Sequence, residues 1–284
     1  MNVRTPLLLL GLVPLLAGCR GDAPAPAANA EEVAVAPGEL LIVARDFQFV
    51  DMPSSVPSGL TNIRLINEGP DFHHVWLIRL DDGRTLDDAL DAFSAGGPLP
   101  SWMVDVGGPN TPGQPGEETS ALVDLQPGTY AVVCVIPADD GVPHIMKGMV
   151  NQLEVVPGDG PPAQLPAADV VMTLDDYSFA TDRPITAGPQ TIRVVNNASQ
   201  AHEVLFVKLE PGRTPMDFVM FVDSREGDPP GRILGGTTGI AQGGMNQITL
   251  DFEPGDYALL CFIPDAGDGQ PHFVHGMMEQ IRVD

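Results

Sequence analysis

Apolar and β-branched residues recur along this chain in short runs separated by glycine, proline and aspartate. Runs that alternate with polar residues, or stay apolar over a few positions between turn formers, predict β-strands. One stretch in each half has apolar residues at helical spacing and predicts a short helix: TLDDALDAFSA and TPMDFVMFVDS. The strand-like runs are LLIVARDFQFV, TNIRLIN, HVWLIRL, SALVDL, TYAVVCVI and NQLEVVP in the first half, and DVVMTLDDYSF, QTIRVVN, EVLFVKL, NQITLDF, DYALLCFI and EQIRVD in the second.

The second half repeats the first at an offset of about 128 residues. The words QPGTYAVVCVIP and PHIMKGM return as EPGDYALLCFIP and PHFVHGM, and the boundary falls in the Pro/Gly-rich VPGDGPPAQLPAA of residues 156–168. This pattern indicates a tandem duplication. Short strands with turns between them and one helical insertion per copy predict an all-β chain of two tandem Greek-key β-sandwiches. We place the first repeat at residues 39–157, a linker at 158–167 and the second repeat at 168–284.

The N-terminal residues have the pattern of a targeting segment. Residues 1–18 have a basic start and an apolar stretch too short to span a bilayer, which predicts a secretory signal peptide. The following Leu16-Ala17-Gly18-Cys19 resembles the bacterial lipobox, in which the cysteine is lipidated. Residues 19–38 are rich in Ala and Pro and predict an extended tether. We therefore expect an extracytoplasmic lipoprotein held at the membrane by lipid on Cys19.

Charge and cysteine content narrow the function. A formal net charge of −24, from 38 acidic and 14 basic residues, argues against nucleic acid and against anionic lipid headgroups as partners. It suits solubility or a basic partner. If Cys19 carries lipid, each repeat keeps one cysteine at a matching position, Cys134 and Cys261. Since extracytoplasmic thiols are normally paired in disulfides, two unpaired ones need a reason.

The sequence order His, Cys, His, Met occurs in both repeats and suggests a soft-metal site. A type-1 copper site uses two imidazoles and a thiolate, with a long, weak axial thioether. The first repeat offers His73, Cys134, His144 and Met149, and the second offers His202, Cys261, His272 and Met277. The offsets between matching residues stay between 127 and 129, so coincidence is a poor explanation.

These segments resemble those of the cupredoxins. NNASQAHEVLF is similar to the Asn-rich turn before the first His ligand of plastocyanin-like proteins, and PGTYAVVC and PGDYALLC are similar to the strand that leads into their Cys ligand. The Cys-to-Met loop, with its His-x-x-x-Gly-Met ending, is similar to the type-1 loop of copper nitrite reductases and multicopper oxidases. The resemblance implies a cupredoxin-like fold and electron exit through the imidazole edge of His144 or His272, close to an apolar patch. The ligands it implies are thiolates Cys134 and Cys261, imidazoles His73, His144, His202 and His272, and axial Met149 and Met277.

The copper enzymes of that superfamily need further histidines. Multicopper oxidases carry His-x-His and His-Cys-His segments, and nitrite reductases place a His directly before the Cys. Here Val133 and Leu260 precede the cysteines, no His-x-His occurs, and only six His are present. We therefore expect no enzymatic activity, and expect electron transfer with a redox partner protein. Copper storage or delivery, and a metal-free interaction module, are the alternatives.

Three questions stay open from the sequence. His74 could replace His73 as the ligand, although it is expected on the opposite strand face, at the surface. One of the two sites could have lost its metal. The inserts ADDG and DAGDG could hold His144 and His272 away from the cysteines.

Overall fold

A computed structural model describes Met1 and residues 35–284. The predicted signal peptide, Cys19 and most of the predicted tether lie outside the described residues. Among the residues that are described, neither helix is long and apolar enough to cross a membrane.

The predicted strands and the predicted helix of each repeat are present, together with three strands that the pattern did not predict. In the first repeat the elements are β1 (Gly38–Arg45), β2 (Gln48–Val50), β3 (Ser55–Pro57), β4 (Gly59–Asn67), β5 (Trp76–Leu80), α1 (Leu86–Ala95), β6 (Met103–Gly107), β7 (Glu118–Leu125), β8 (Gly128–Val133) and β9 (Val150–Val156). In the second they are β10 (Val170–Asp175), β11 (Ser178–Thr181), β12 (Gly188–Asn196), β13 (His202–Leu209), α2 (Pro215–Ser224), β14 (Gly231–Ile240), β15 (Met245–Phe252), β16 (Gly255–Leu260) and β17 (Met278–Val283). The three strands that the pattern did not predict are β3, β6 and β14.

The strands form two sheets, each of which runs through both repeats. One has the order β11-β10-β12-β15-β7-β4-β1-β2, and the other β17-β16-β13-β14-β6-β5-β8-β9-β3. Within each repeat, one sheet packs on the other with a parallel first pair, β1 with β4 and β10 with β12. This is the cupredoxin-like Greek-key sandwich, and the predicted fold class is confirmed.

The repeats meet along a seam with local two-fold symmetry. Strands β7 and β15 pair antiparallel with Ala121 opposite Ile248, which occupy matching positions of the two repeats. In the other sheet β6 meets β14 with Val106 opposite Ile240. Residues from 35 onward consequently cluster into one unit by their contacts. The boundaries drawn at 157 and 168 therefore remain predictions.

Each seam strand carries a Gly-Gly pair, Gly107-Gly108 at the end of β6 and Gly235-Gly236 in β14. Gly108 and Gly236 hold positive φ angles of 138° and 148°. A β-carbon on Gly236 would collide with the carbonyl oxygen of Val204, and one on Gly108 would collide with that of Val75. Only glycine allows this approach of neighbouring strands.

The buried core carries the ends of the ligand-bearing strands. Side chains from both sheets of both repeats fill a continuous apolar cluster that includes both cysteines and the methionines Met149 and Met277. Helices α1 and α2 begin with capping boxes at Thr85 and Thr214 and cover the outer face of the second sheet. Both faces of that sheet are thus buried around the sites.

Candidate metal centre

The first repeat brings three of its predicted ligands together at one end of the sandwich. The Nδ1 atoms of His73 and His144 lie 3.1 Å apart, and Nδ1 of His144 lies 3.5 Å from Sγ of Cys134. All three residues are fully buried. The inserted ADDG therefore does not hold His144 away from Cys134. His73, rather than His74, faces the cluster.

The second repeat forms the same arrangement. Sγ of Cys261 lies 4.0 Å from Nδ1 of His202 and 3.4 Å from Nδ1 of His272. Both imidazole rings and the thiol are fully buried. Both cysteines are free, as predicted from their matching positions. Neither set of residues has lost a member, and DAGDG does not separate its histidine from the thiol.

A short helical turn positions the second histidine and the methionine of each site. Cys134 follows β8, and its amide donates to the carbonyl of Met149 at 3.2 Å, while the Ile145 amide donates to the Cys134 carbonyl at 2.7 Å. His144 begins the 3₁₀ turn His144–Lys147, and its carbonyl accepts from the Met149 amide at 3.0 Å. The second repeat has the same bonds, including those from Cys261 to Met277 and from Met277 to His272. Met149 and Met277 are fully buried beside the thiols in the core.

Two aspartates that the strand pattern did not single out orient the first histidine of each site. Nε2 of His73 lies 2.6 Å from Oδ1 of Asp46, and Nε2 of His202 lies 3.1 Å from Oδ1 of Asp176. A carboxylate partner keeps the proton on Nε2, which leaves the Nδ1 lone pair free to bind a metal. The sequence signal was the repeated aspartate and aromatic pair, Asp46-Phe47 and Asp176-Tyr177, between the first two strands.

The residue after the first histidine supports each thiol. His74 donates its backbone N–H to Sγ of Cys134, and its Nε2 accepts from the Val135 amide at 3.1 Å. Glu203 does the same in the second site: its N–H donates to Sγ of Cys261, and its Oε1 accepts from the Phe262 amide at 2.8 Å.

The expectation that His74 lies at the surface was wrong. The outer face of the sheet, where alternation places it, is covered by the cluster around Trp76 and α1. Burial lowers the pKa of His74 to about 3. The side chain is therefore a neutral acceptor rather than a surface group.

Burial also sets the protonation of the ligand candidates. It raises the pKa of Cys134 to about 12 and that of Cys261 well above its ordinary value. It lowers the pKa of His144 and of His272 to about 4. At neutral pH the metal-free protein thus holds neutral imidazoles and protonated thiols.

The outer edges of His144 and His272 are covered. Both side chains have 0% exposure, and their Nε2 atoms have no hydrogen-bond partner. Nε2 of His144 lies 3.6 Å from Oδ2 of Asp71, and Nε2 of His272 lies 4.0 Å from Oδ2 of Asp265. The covering residues come from the β1–β2 and β10–β11 turns and from the ligand loops.

A third cluster, Asp265, Asp268 and His275, lies beside the second site. Both oxygens of Asp265 already accept hydrogen bonds, from the amides of Gly267 and Asp268 and from the side chains of Tyr177 and Gln200. Nε2 of His275 lies 3.1 Å from Oδ1 of Asp268. We therefore interpret this cluster as a structured turn.

The donor set fits copper. Ligand atoms that lie 2.0–2.3 Å from a metal ion, at the corners of a triangle around it, are roughly 3.5 Å apart. Two separations in each site lie around this value, 3.1 and 3.5 Å in the first and 4.0 and 3.4 Å in the second, and all three ligand atoms of each site lie within 4.8 Å of one another. Two imidazoles and one thiolate in a buried, apolar setting, with a methionine beside them, are the ligands of type-1 copper sites. The orphaned Nε2 atoms also fit, because a ring that binds through Nδ1 keeps its proton on Nε2.

Comparison with known proteins gives likenesses of shape. No protein-family model matches the chain, and no curated protein matches it. Reduced auracyanin from Roseiflexus castenholzii is 21% identical, with 43% of this chain and 100% of that one covered at a TM-score of 0.31. The copper-containing nitrite reductase from Thermus scotoductus is 15% identical, with 88% of this chain and 62% of that one covered at 0.27. The blue copper oxidase from Nitrosomonas europaea is 15% identical, with 87% and 86% covered at 0.27. At TM-scores below 0.5 these likenesses decide nothing about function, which has to come from the geometry of the two sites.

Proposed function

We propose that this protein binds one type-1-like copper ion in each repeat and carries single electrons. The observation that supports this most strongly is the convergence of a thiol and two imidazoles at the same place in both repeats, with the three ligand atoms of each site within 4.8 Å of one another. When bound, the copper would supply a one-electron couple. His73, Cys134 and His144 would hold it in the first site, and His202, Cys261 and His272 in the second, with Met149 and Met277 as the thioether ligands.

The surrounding chain supports rapid exchange of electrons. The ligands lie between two sheets. The His73 and His202 rings donate hydrogen bonds from Nε2 to Asp46 and Asp176, and backbone hydrogen bonds hold the loops that carry the other ligands. A rigid site changes little between oxidation states, and hydrogen bonds to the cysteine sulfur tune its potential. The N–H groups of His74 and Glu203 supply such bonds at 3.5 Å.

We further propose that the protein is a carrier rather than an enzyme, anchored outside the cytoplasm by lipid on Cys19. Of the six histidines, four belong to the two sites, His74 already accepts a backbone hydrogen bond, and His275 pairs with Asp268. A Cys19→Ala variant should move from the membrane fraction to the soluble extracytoplasmic fraction, and its persistence in the membrane would contradict the lipid anchor.

A visible spectrum of the copper-loaded protein tests the central proposal. A thiolate bound to Cu(II) should give an intense charge-transfer band. Cys134→Ser and Cys261→Ser should each remove roughly half of that band, since each site contributes one sulfur donor. Loss of both thiols should abolish it, with Cys19→Ser as the matched control. A loaded protein without the band would refute type-1-like copper.

Storage or delivery of copper is the second candidate. Met146, in the turn that carries His144, is 47% exposed and offers a thioether to solvent beside the first site. Redox cycling separates the two functions. A carrier keeps its copper through repeated oxidation and reduction, whereas a storage or delivery protein releases copper in one state. A protein that takes up no copper, with unchanged thermal stability when copper is added, would instead be a metal-free interaction module.

A further inference from the structure

The two sites are closed by different residues, although their ligands match. The His144 and His272 rings have no exposed surface, so an electron passing between either site and a partner must cross the residues that cover these rings. The cover therefore decides which site a partner can reach.

In the second site, aromatic rings connect the ligand to solvent. The Tyr177 ring lies edge-on to His272, with 5.4 Å between centroids, and next to His275, with 4.9 Å between centroids and 35° between planes. Its hydroxyl donates to Oδ2 of Asp265 at 2.5 Å and accepts from Nε2 of Gln200 at 3.2 Å, which fixes the ring. The His275 side chain is 29% exposed. Three rings in contact thus lead from the ligand to the surface.

In the first site the corresponding path ends at a positive charge. Phe47 takes the place of Tyr177, with its centroid 4.6 Å from that of His144. Lys147 takes the place of His275, lies 5.0 Å above the Phe47 ring and pairs with Asp140 at 2.6 Å. Arg225, from the end of α2, lies 4.8 Å above the Phe72 ring and donates to the Pro137 carbonyl on the ligand loop. Two cations, Lys147 and Arg225, therefore lie beside the residues that cover the first site.

The surface around the second site is acidic. Side chains of Asp176 and Asp268 are 41% and 51% exposed, and the ion pairs of these two residues and of Asp265 are all with histidines. No lysine or arginine among the described residues pairs with any of the three. Val274, next to His275, is 56% exposed and gives the centre of the patch an apolar contact. Carboxylates around a small apolar centre attract a positively charged protein and steer its approach.

We propose that the surface formed by Asp176, Tyr177, Asp268, Val274 and His275, the His275 surface, is where the second site exchanges electrons with a basic redox protein. One electron passes through the Tyr177 and His275 rings. The metal of one protein loses the electron that the other gains, and no bond is made or broken. The inference rests on the proposed copper function. It adds that the second site, rather than the first, is the one that exchanges electrons with the partner, which makes the His275 surface the port, and that the partner is cationic.

Exchanging the residues that differ between the two sites tests the port. In a Cys134→Ser background, where only the second site can form its thiolate bond, His275→Lys should lower the rate constant for electron exchange with cytochrome c, a basic one-electron protein. We expect a drop of roughly tenfold and a weaker dependence on ionic strength, because a cation now stands in the path of a cationic partner. With the anionic reagent ferricyanide the same substitution should not slow exchange. The matched change is Lys147→His in a Cys261→Ser background, which should accelerate exchange of the first site with cytochrome c.

The ring path has its own control. Tyr177→Phe keeps the ring and should retain most of the exchange rate, whereas Tyr177→Leu removes the ring and should slow exchange with both reagents. The visible band of each variant reports whether the site is intact. If the band is intact but His275→Lys and Tyr177→Leu leave the rates unchanged, the port is refuted while the copper function stands. If no variant and no parent shows the band, both proposals fail.

Binding of a cation that cannot react gives an independent readout. Hexaamminechromium(III) is a paramagnetic trivalent cation, and it should broaden the NMR signals of His275, Asp268 and Val274 in the metal-free protein. Asp268→Asn should weaken this broadening. Broadening centred on Lys147 and Asp140 instead would overturn the assignment of the port to the second site.

Discussion

Replacing Asp46 with alanine should weaken copper binding at the first site more than the matching change weakens it at the second. Oδ1 of Asp46 lies 2.6 Å from Nε2 of a histidine with no exposed surface, and the aspartate itself is only 23% exposed. A hydrogen bond that involves a charged group contributes about 1.5–3 kcal/mol. Loss of it corresponds to roughly 10- to 100-fold in affinity, the range found for residues that orient metal-bound histidines.

The second site provides the matched comparison. Oδ1 of Asp176 lies 3.1 Å from Nε2 of His202, and its side chain is 41% exposed, so water can replace much of what it supplies. The shorter bond of the first site goes with a difference in one neighbouring residue. Gly69 occupies the position that Ala198 has in the second repeat, and a β-carbon on Gly69 would collide with Oδ1 of Asp46 and Nε2 of His73. We expect Asp176→Ala to cost about fivefold or less, near 1 kcal/mol.

Competition for Cu(I) with a chromophoric chelator measures both effects. Each substitution is made in the background that lacks the other site's thiol, so that one copper is titrated at a time. Asp46→Asn serves as the conservative variant, because its amide oxygen can still accept from Nε2 and should restore part of the affinity. An Asp46→Ala protein whose affinity stays within twofold of its parent would refute the role of this carboxylate, and so would a larger loss from Asp176→Ala.

Two further predictions follow from the protonation of the sites and from the seam. Since the pKa of Cys134 is raised to about 12 and that of His144 lowered to about 4, a site at neutral pH must lose one thiol proton and no imidazole proton on binding a metal. Calorimetry in buffers of different ionisation enthalpy should therefore find about one proton released per Cu(I) between pH 5.5 and 8, with affinity rising about tenfold per pH unit. If the number of protons released rises well above one as the pH falls below 6.5, the imidazoles have ordinary pKa values and the prediction is wrong. In the seam strand β14, Gly236→Ala should destabilise the metal-free protein by more than about 2 kcal/mol in denaturant unfolding, because the added β-carbon would collide with the Val204 carbonyl oxygen. Gly243→Ala is the control: Gly243 also has a positive φ but has open space around it, and its substitution should cost about 1 kcal/mol.

The apolar pattern predicted most of the strands, including β7 and β15 of the seam, and missed β3, β6 and β14. Runs such as TNIRLIN became β4, with alternate residues buried. Strands β6 and β14 were not predicted, because MVDVG and GRILGGTTGI are rich in glycine or polar residues and have no clean alternation. Strand β6 pairs with β5, and β14 pairs with β13, within the same repeat. The two strands also meet each other at Val106 and Ile240, and Nδ2 of Asn246 in β15 donates to the Val106 carbonyl at 2.9 Å across the seam. Such contacts depend on the other repeat, and a local window of sequence contains no information about them.

The metal ligands could be predicted from the sequence more readily than the residues that surround them. Cysteine, histidine and methionine have few other reasons to recur at fixed offsets, so the duplicated set could be singled out from its spacing. Asp46 and Asp176 also recur, each before an aromatic residue, but an aspartate in a turn between strands is ordinary until a buried imidazole is found beside it. His74 shows the converse. Alternation placed it correctly on the face opposite His73, but the covering of that face by the cluster around Trp76 is a property of the tertiary fold.

The divergence between the repeats is concentrated around the ligands rather than in them. All four ligand candidates are present in both repeats, whereas Phe47 corresponds to Tyr177, Lys147 to His275, and His74 to Glu203. If one site were vestigial, its thiol or imidazoles would be free to change, and the groups that orient them would have no function. Instead both sites keep their orienting carboxylates and their hydrogen bonds to sulfur. Because neighbouring charge and solvent access tune the potential of a metal site, the two matching ligand sets in different surroundings predict different potentials for the two proposed copper sites.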